Sequence, residues 1–371
     1  MAGQPASAEL AARFQALHEF VRAARNALPT NYWDYLTGGA ETETTLRRNR
    51  LALDSLAFRP RVLRDVSNID ATATLFGKKT RLPVVLAPVG SIENLNPGGT
   101  AAVAKAAAAF GVPVFVSSVA QPGLEATAEA APDSRRVYQL YVRGDEAWVD
   151  DYARRAAASG YEAFCFTVDT AMYGRRERDI AKRYVVSGRR QVVADMERYQ
   201  AAFGWDQLRR FKDKHKLPII LKGIATAEDA ELACQLGVAC IYVSNHGGRQ
   251  LDHGRGTIEV LPEVAAAVKR RVPVIVDGGF CRGSDVVKAL ALGADAVGIG
   301  RLYCYALAAA GEAGVGRLLE LLEIEIRMSL GLLGAASYSQ LDRAMLCAAA
   351  PVNGPHVLSA FPLLDLSHPG Y

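Results

Sequence analysis

The run Leu217-Pro218-Ile219-Ile220-Leu221-Lys222-Gly223 decides the fold. Proline is tolerated at a strand's first residue, where its missing N–H costs no ladder bond. The apolar residues that follow do not alternate with polar ones, the pattern of a strand covered on both faces. The run then ends on a charged residue and a glycine. Seven more runs have this character: Leu82–Pro88 (LPVVLAP), Val112–Ser118 (VPVFVSS), Val137–Val142 (VYQLYV), Ala163–Asp169 (AFCFTVD), Ala239–Asn245 (ACIYVSN), Val272–Gly278 (VPVIVDG) and Ala294–Gly300 (ADAVGIG). Three of them share the apolar-Pro entrance, at Leu82-Pro83, Val112-Pro113 and Val272-Pro273.

Helix-like stretches separate the runs. Thr100–Phe110 is alanine-rich, Glu146–Ser159 carries its charges on one face, and Thr226–Leu236 opens with a Thr-x-x-Asp cap; Leu261–Arg271 and Ser284–Leu292 complete the series. Eight strand–helix units over about residues 82–325 fit the ~250 residues of an α/β chain closed as a (β/α)8 TIM barrel. A doubly wound open sheet is the rival, but no Gly-x-Gly-x-x-Gly opens the first helix. The whole chain, 1–371, reads as a single domain. Residues 6–28 form an amphipathic helix and 32–38 a second, together an N-terminal helical extension over 6–38. Residues 41–81 read as a polar, arginine-rich connection, 178–216 as a long, partly helical loop after strand four, and 334–371 as a loop-like tail.

The composition narrows the function. Half of the 371 residues are hydrophobic, which excludes a disordered chain. Forty-three basic against 39 acidic residues give +4, with no long basic run, so no nucleic-acid partner is expected. The first residues lack the apolar core of a signal peptide, and no run is apolar enough to span a membrane. The cysteines at 165, 234, 240, 281, 304 and 347 form no C-x-x-C pair and sit mostly in apolar runs. Reduced thiols, no metal and a cytoplasmic location are the expectation.

The carboxyl ends of barrel strands carry active sites. Here they offer Gln139 and Tyr141, Thr167 and Asp169, Lys222, Ser244 with His246 and Arg249, Asp277, and Gly300 with Arg301. Asp277-Gly278-Gly279 and Gly298-Ile299-Gly300-Arg301 follow strands seven and eight, the usual phosphate site of this barrel. Their glycines let backbone N–H groups approach an anion, and a following helix N-terminus adds a favourable dipole. Ser244-Asn245-His246-Gly247-Gly248-Arg249-Gln250-Leu251-Asp252 sets a titratable base beside a fixed cation. Such a base removes a substrate proton while the guanidinium grips a carboxylate. Asp169 is placed to pair with the imidazolium so formed.

These residues resemble the FMN-dependent α-hydroxy-acid oxidases and dehydrogenases, the group of glycolate oxidase, lactate oxidase and mandelate dehydrogenase. SNHGGRQLD carries the resemblance, with QLY (139–141), TVDT (167–170), GRRE (174–177), LKG (221–223), DGG (277–279) and GIGR (298–301) in the family's order. The resemblance implies FMN and oxidation of an (S)-2-hydroxy acid to the 2-oxo acid, with His246 as base and flavin N5 as hydride acceptor. It also implies that Asp169 orients His246, that Tyr141 bonds the substrate hydroxyl, and that Arg176 and Arg249 bind its carboxylate. The flavin would contact Pro88, Val89, Gly90, Ser117, Gln139, Thr167, Lys222 and Ser244. Its phosphate would rest on Asp277, Gly278, Gly279, Gly300 and Arg301. Oxygen or a quinone or other electron carrier would reoxidise it, in a homo-oligomer, tetramer or octamer, without a membrane span. A decarboxylating monooxygenase and an FMN-binding barrel isomerase are the alternatives, with a Schiff-base aldolase on Lys222 a weaker one.

Four positions depart from the family pattern. Trp33 stands where a carboxylate-binding tyrosine is usual, Gly90 and Val119 replace larger residues, and Cys281 replaces a phosphate-contacting arginine that Arg282 directly follows. Gly90 and Val119 predict a roomier pocket and Trp33 an aromatic wall beside it, and together they predict a bulky or aromatic hydroxy acid.

Overall fold

The computed structural model describes residues 8–185 and 194–363. Eight parallel strands close into a barrel: β1 (Val84–Leu86), β2 (Val114–Ser117), β3 (Arg136–Leu140), β4 (Ala163–Thr167), β5 (Ile219–Ile224), β6 (Cys240–Val243), β7 (Val274–Val276) and β8 (Ala296–Ile299), with β8 paired back to β1. Every expected run overlaps one of these strands, with β3 starting one residue before its run and β5 ending one residue after its own. The rival open sheet is excluded by closure.

The expected helices are present, with small boundary differences. Thr226 caps Ala227–Leu236 by accepting from the Asp229 N–H, as its Thr-x-x-Asp pattern requires. The helix expected from Leu261 begins at Thr257 and carries Pro262 as its sixth residue, where the missing N–H removes one i→i−4 bond. One helix, Leu124–Ala130, is too short and too weakly patterned to stand out in the sequence. The N-terminal amphipathic segment is two helices, Ala8–Arg13 and Leu17–Ala27, followed by Thr30–Thr37; its residues 6 and 7 lie outside the described residues.

Two expected loops are structured instead. The connection over 41–81 contains the helix Thr44–Asp54 and a hairpin, Ala73–Leu75 with Lys78–Thr80. Leu75 joins the apolar cluster inside the barrel, and its carbonyl accepts from Arg135 at 2.8 Å, so the hairpin stoppers the amino-terminal mouth. The tail contains Leu346–Ala348, which pairs antiparallel with Leu56–Phe58. The long segment after β4 holds the helices Glu177–Ala181, Ala194–Ala202 and Trp205–Lys214; residues 186–193 of it, and 364–371 of the tail, lie outside the described residues.

Strand periodicity positions the site. Successive inward residues on one strand are two apart. Val137, Cys165, Ile220, Tyr242 and Ile275 fill the barrel interior. One step further along the same strands come Gln139, Thr167, Lys222, Ser244 and Asp277. An apolar plug thus becomes a polar floor within two residues.

Candidate active site

The floor is a buried hydrogen-bonded layer. Gln139 donates to Thr167 Oγ1 at 2.8 Å, Lys222 to Ser244 Oγ at 3.0 Å, and Ser244 to Asp277 Oδ1 at 2.6 Å. Gln139 Oε1 is buried without a partner. Burial favours neutral Lys222, but Asp277 and Asp169 outweigh it and raise its pKa, so it remains an ammonium. Gly298 is required here, because a Cβ would lie 1.9 Å from the Tyr242 hydroxyl.

Above the floor stands the expected base. His246 has φ +59°, a left-handed conformation that costs a non-glycine residue, and its N–H donates to Ser244 Oγ at 3.0 Å. Its Nδ1 meets Asp169 Oδ1 at 2.9 Å, and its Nε2 lies 3.2 Å from the Tyr141 hydroxyl. A carboxylate on Nδ1 fixes the proton there and leaves the Nε2 lone pair free to accept. Burial lowers the His246 pKa, with Asp169 opposing and Lys222 and Arg176 assisting. Burial works to raise the Asp169 pKa, but His246 and Lys222 win and lower it. Burial raises Tyr141, which therefore acts as a phenol donor.

Three arginines face this pair. Burial, with Arg176 next, depresses Arg249 to about 9. Its Nη1 donates to the carbonyls of Tyr35 and Gly38 at 2.6 and 2.8 Å, and its guanidinium lies 4.8 Å from the Tyr35 ring centroid. Arg176 lies on the same ring at 5.9 Å, and its Nε is buried without a partner. Neither makes an ion pair among the described residues. Arg301 is held by the carbonyls of Leu36, Gly247 and Gly38 at 2.9, 3.0 and 2.9 Å.

A cleft of ≈ 1210 Å³, its open mouth included, brings most of the expected residues together. Pro88, Val89, Gly90, Tyr141, Arg176, Lys222, His246, Arg249, Asp277, Gly278, Gly279, Gly300 and Arg301 line it. Ser117, Gln139, Thr167 and Ser244 are buried in or beside the floor, and Asp169 lies behind His246.

Three expectations need correction. Trp33 does not line the cleft; it is buried against Tyr305, at 5.8 Å between centroids. Tyr35, two residues later, lines it instead, and its hydroxyl donates to the Gly90 carbonyl at 3.0 Å. Helix Thr30–Thr37 turns about 100° per residue, so neighbours two apart face differently. Gly90 gives no free room either, because a Cβ there would meet Val119 Cγ2 at 2.7 Å. Arg282 does not replace the missing arginine at Cys281, since it pairs outward with Glu325 at 2.5 Å. The helix after β7 also offers no anion site: Asp285 Oδ2 takes the N–H groups of Cys281 and Arg282, and Glu325 that of Gly283. The helix after β8 starts at Arg301 with Gly300 as its cap and no side chain on its first N–H groups. Of the two helix starts, that one leaves its first N–H groups open to an anion.

Sequence reasoning missed Tyr35, Arg50, Arg143 and Tyr173 as lining residues. Arg143 had a readable signal, two places beyond Tyr141 on the same strand end. Arg50 had none, since only the packing of Thr44–Asp54 brings it to Gly279, whose carbonyl it reaches at 2.8 Å.

A barrel rim that combines a buried histidine–carboxylate pair, arginines without a carboxylate partner and an uncapped helix N-terminus suits an anionic substrate beside a phosphate-bearing cofactor. The chain belongs to the FMN-dependent dehydrogenase family, whose model matches residues 24–348. It is similar to glycolate oxidase 1 of Zea mays, 41% identical over 345 residues, 88% of this chain and 93% of that one. A peroxisomal (S)-2-hydroxy-acid oxidase of Oryza sativa subsp. japonica is 41% identical over 346 residues, 88% and 94% of the two chains. Among solved structures, a mandelate oxidase with 3,3-difluoro-2-hydroxy-3-phenylpropionic acid superposes with TM-score 0.82 at 40% identity, covering 91% of this chain and 100% of that one. The protein is thus an FMN-dependent 2-hydroxy-acid oxidoreductase acting on CH–OH. Its own residues fit FMN: the Lys222 ammonium and the Gly300–Arg301 helix start line one cleft, and the orphan Gln139 oxygen lies in the floor beneath it.

Proposed function

We propose that the protein oxidises an (S)-2-hydroxy acid with a bulky side chain to the 2-oxo acid, His246 acting as base. The observation that carries this reading is the His246 Nε2 turned toward the cleft opposite Arg176 and Arg249, with Asp169 fixing the other ring nitrogen. Arg176 and Arg249 hold the substrate carboxylate, and the desolvated Arg249 regains a counter-ion when it arrives. Tyr141 donates to the substrate oxygen. Nε2 accepts the proton, and Asp169 stabilises the imidazolium. FMN, when bound, accepts the two electrons of the oxidation. Gln139, Thr167, Ser117, Ser244, Lys222 and the Pro88–Gly90 backbone contact its ring and ribityl, and Asp277–Gly279 with Gly300 and Arg301 its phosphate end.

Of the two substitutions read as enlarging the pocket, Val119 alone supports room for a bulky side chain. A Schiff base on Lys222 is disfavoured by its raised pKa, since only a neutral amine attacks a carbonyl. An isomerase has no use for Arg176 and Arg249 opposite the base. No helix among the described residues is long and apolar enough to cross a membrane, and none of the six cysteines is in a disulfide. Exposed Val168, Met172 and Leu251 around a second cavity beside Asp169 give copies of the chain an apolar face, which supports a homo-oligomer.

The test is anaerobic. The purified yellow protein should bleach on mixing with (S)-2-hydroxy acids, faster with mandelate or 2-hydroxyoctanoate than with glycolate or lactate. Recovery of colour with oxygen, or only with a quinone, then assigns the acceptor. Persistent colour with every acid rejects the proposal.

A further inference from the structure

Beyond the strand Leu346–Ala348 the tail turns back over the barrel. The Ala349 N–H donates to the Ser55 carbonyl at 2.9 Å, at the end of the helix whose Arg50 reaches Gly279. Further along, Phe361 is only 1% exposed. Its ring meets Tyr305 edge-on, with centroids 6.4 Å apart, and His18 likewise at 5.7 Å. Tyr305 lies one turn after Arg301 on the helix that follows β8. The tail is thus fastened on both sides of the loops after β7 and β8. Between the fastenings, half-buried Val357 lines the cleft together with Cys281 and Cys304.

Local chemistry holds this path. The His356 carbonyl accepts from the N–H and Oγ of Ser359 at 3.0 and 2.9 Å, and the Leu358 carbonyl from the Phe361 N–H at 2.9 Å. Pro351, Pro355 and Pro362 restrict the undocked chain, so less entropy is lost when it docks. Residues 349–363 carry no Lys, Arg, Asp or Glu, so they bring no charge to an anion. They bring cover. A Cβ on Gly300 would first meet Val89 Cγ2, at 3.9 Å, so space opens directly at the helix start. Apolar cover over that space keeps water from competing with the helix N–H groups and Arg301 for a phosphate.

We propose that residues 349–363 form a strap across the phosphate end of the cleft, with Val357 as its cover and Phe361 as its anchor, and that the strap retains FMN by closing its exit. This deepens the reading above and rests on its placing the phosphate at Gly300–Arg301. FMN leaves when the strap lifts, and lifting strips Phe361 of its contacts with Tyr305 and His18. The apolar anchor therefore sets the rate of cofactor loss.

The experiment follows the fluorescence of free flavin after dilution of the full-length holoenzyme, and of the same chain reloaded with riboflavin. Riboflavin lacks the phosphate and reports on the rest of the cleft. The parent should lose riboflavin faster than FMN by roughly tenfold or more. V357D sets a carboxylate against the phosphate and should speed FMN loss by roughly tenfold, whereas V357K should slow it. Riboflavin loss should change by less than about twofold in both. F361A should speed FMN loss by roughly tenfold or more, with F361L recovering part of the difference. Both Val357 variants alter a half-buried position, so they test the strap even where F361A fails to fold. Equal FMN loss from V357D and V357K overturns the strap, as does riboflavin loss that shifts as much as FMN loss. FMN and riboflavin leaving the parent equally fast overturns the phosphate placement and the strap with it. No hydroxy acid enters these measurements, so the bleaching test of the catalytic reading stands or falls separately.

Discussion

The two ends of the barrel use the same strands for opposite purposes. At the amino-terminal end, Phe115, Val137, Ile220, Tyr242 and Ile275 pack into a dry plug beneath Leu75, with Phe115 and Tyr242 in edge contact at 5.6 Å. At the carboxyl end the next inward residues are Gln139, Lys222, Ser244 and Asp277, buried as deeply but polar. The lower end gains from burial at about 25 cal/mol per Å² of apolar surface. The upper end gains little, because desolvating Lys222, Asp277 and Asp169 offsets their mutual attraction. Stability and reactivity are thereby separated along the barrel axis by a single side-chain step.

The sharpest way to test this separation is His246→Ala. It should cut flavin reduction by roughly 10²- to 10⁴-fold, the span of positioned acid–base catalysis, while bound flavin and melting temperature change little. Stopped-flow reduction and thermal unfolding of the same sample check both. The reciprocal substitution, Ile220→Ala, should destabilise by about 2–5 kcal/mol through the cavity it leaves. Urea unfolding measures that loss, and turnover per folded molecule should stay near the parent value. A large loss of turnover per folded molecule would show the two ends to be coupled.

Smaller effects refine the upper end. Arg249→Lys replaces a planar fork by a point charge, so KM should rise by roughly tenfold or more while flavin content is retained. Steady-state kinetics on the parent's best substrate reports it. The pH profile tests the His246 environment. The base works when neutral, and burial lowers its pKa, so kcat/KM should begin to fall only below the ordinary histidine value of 6.5. Asp169→Asn removes the charge that raises that pKa. The acid limb should then move to still lower pH and the plateau should drop, whereas a limb moving upward contradicts the assignment.

Much of this was legible without coordinates, for a definite reason. Strand runs covered on both faces must be apolar until they leave the barrel, so LPIILKG or VPVIVDG displays both the strand and the point where the site begins. His246, Asp169, Lys222 and Asp277 stand out because each ends such a run. Side-chain direction on helices and connections had no such marker. Whether Trp33 or Tyr35 meets the cleft depends on how Thr30–Thr37 docks, and the helix buried the indole and presented the phenol. Arg282 reads as a cation beside the phosphate, yet Glu325, 43 places along, draws it outward. Arg50 reads as one more charge in a polar connection, and folding carries it to Gly279. Period-two strands fix orientation locally, so the sequence by itself determined the barrel, its polar rim and the place of His246 upon it. Contacts between residues far apart in the chain decided which arginines and aromatics complete the cleft, because those orientations come from packing against partners that no local pattern names.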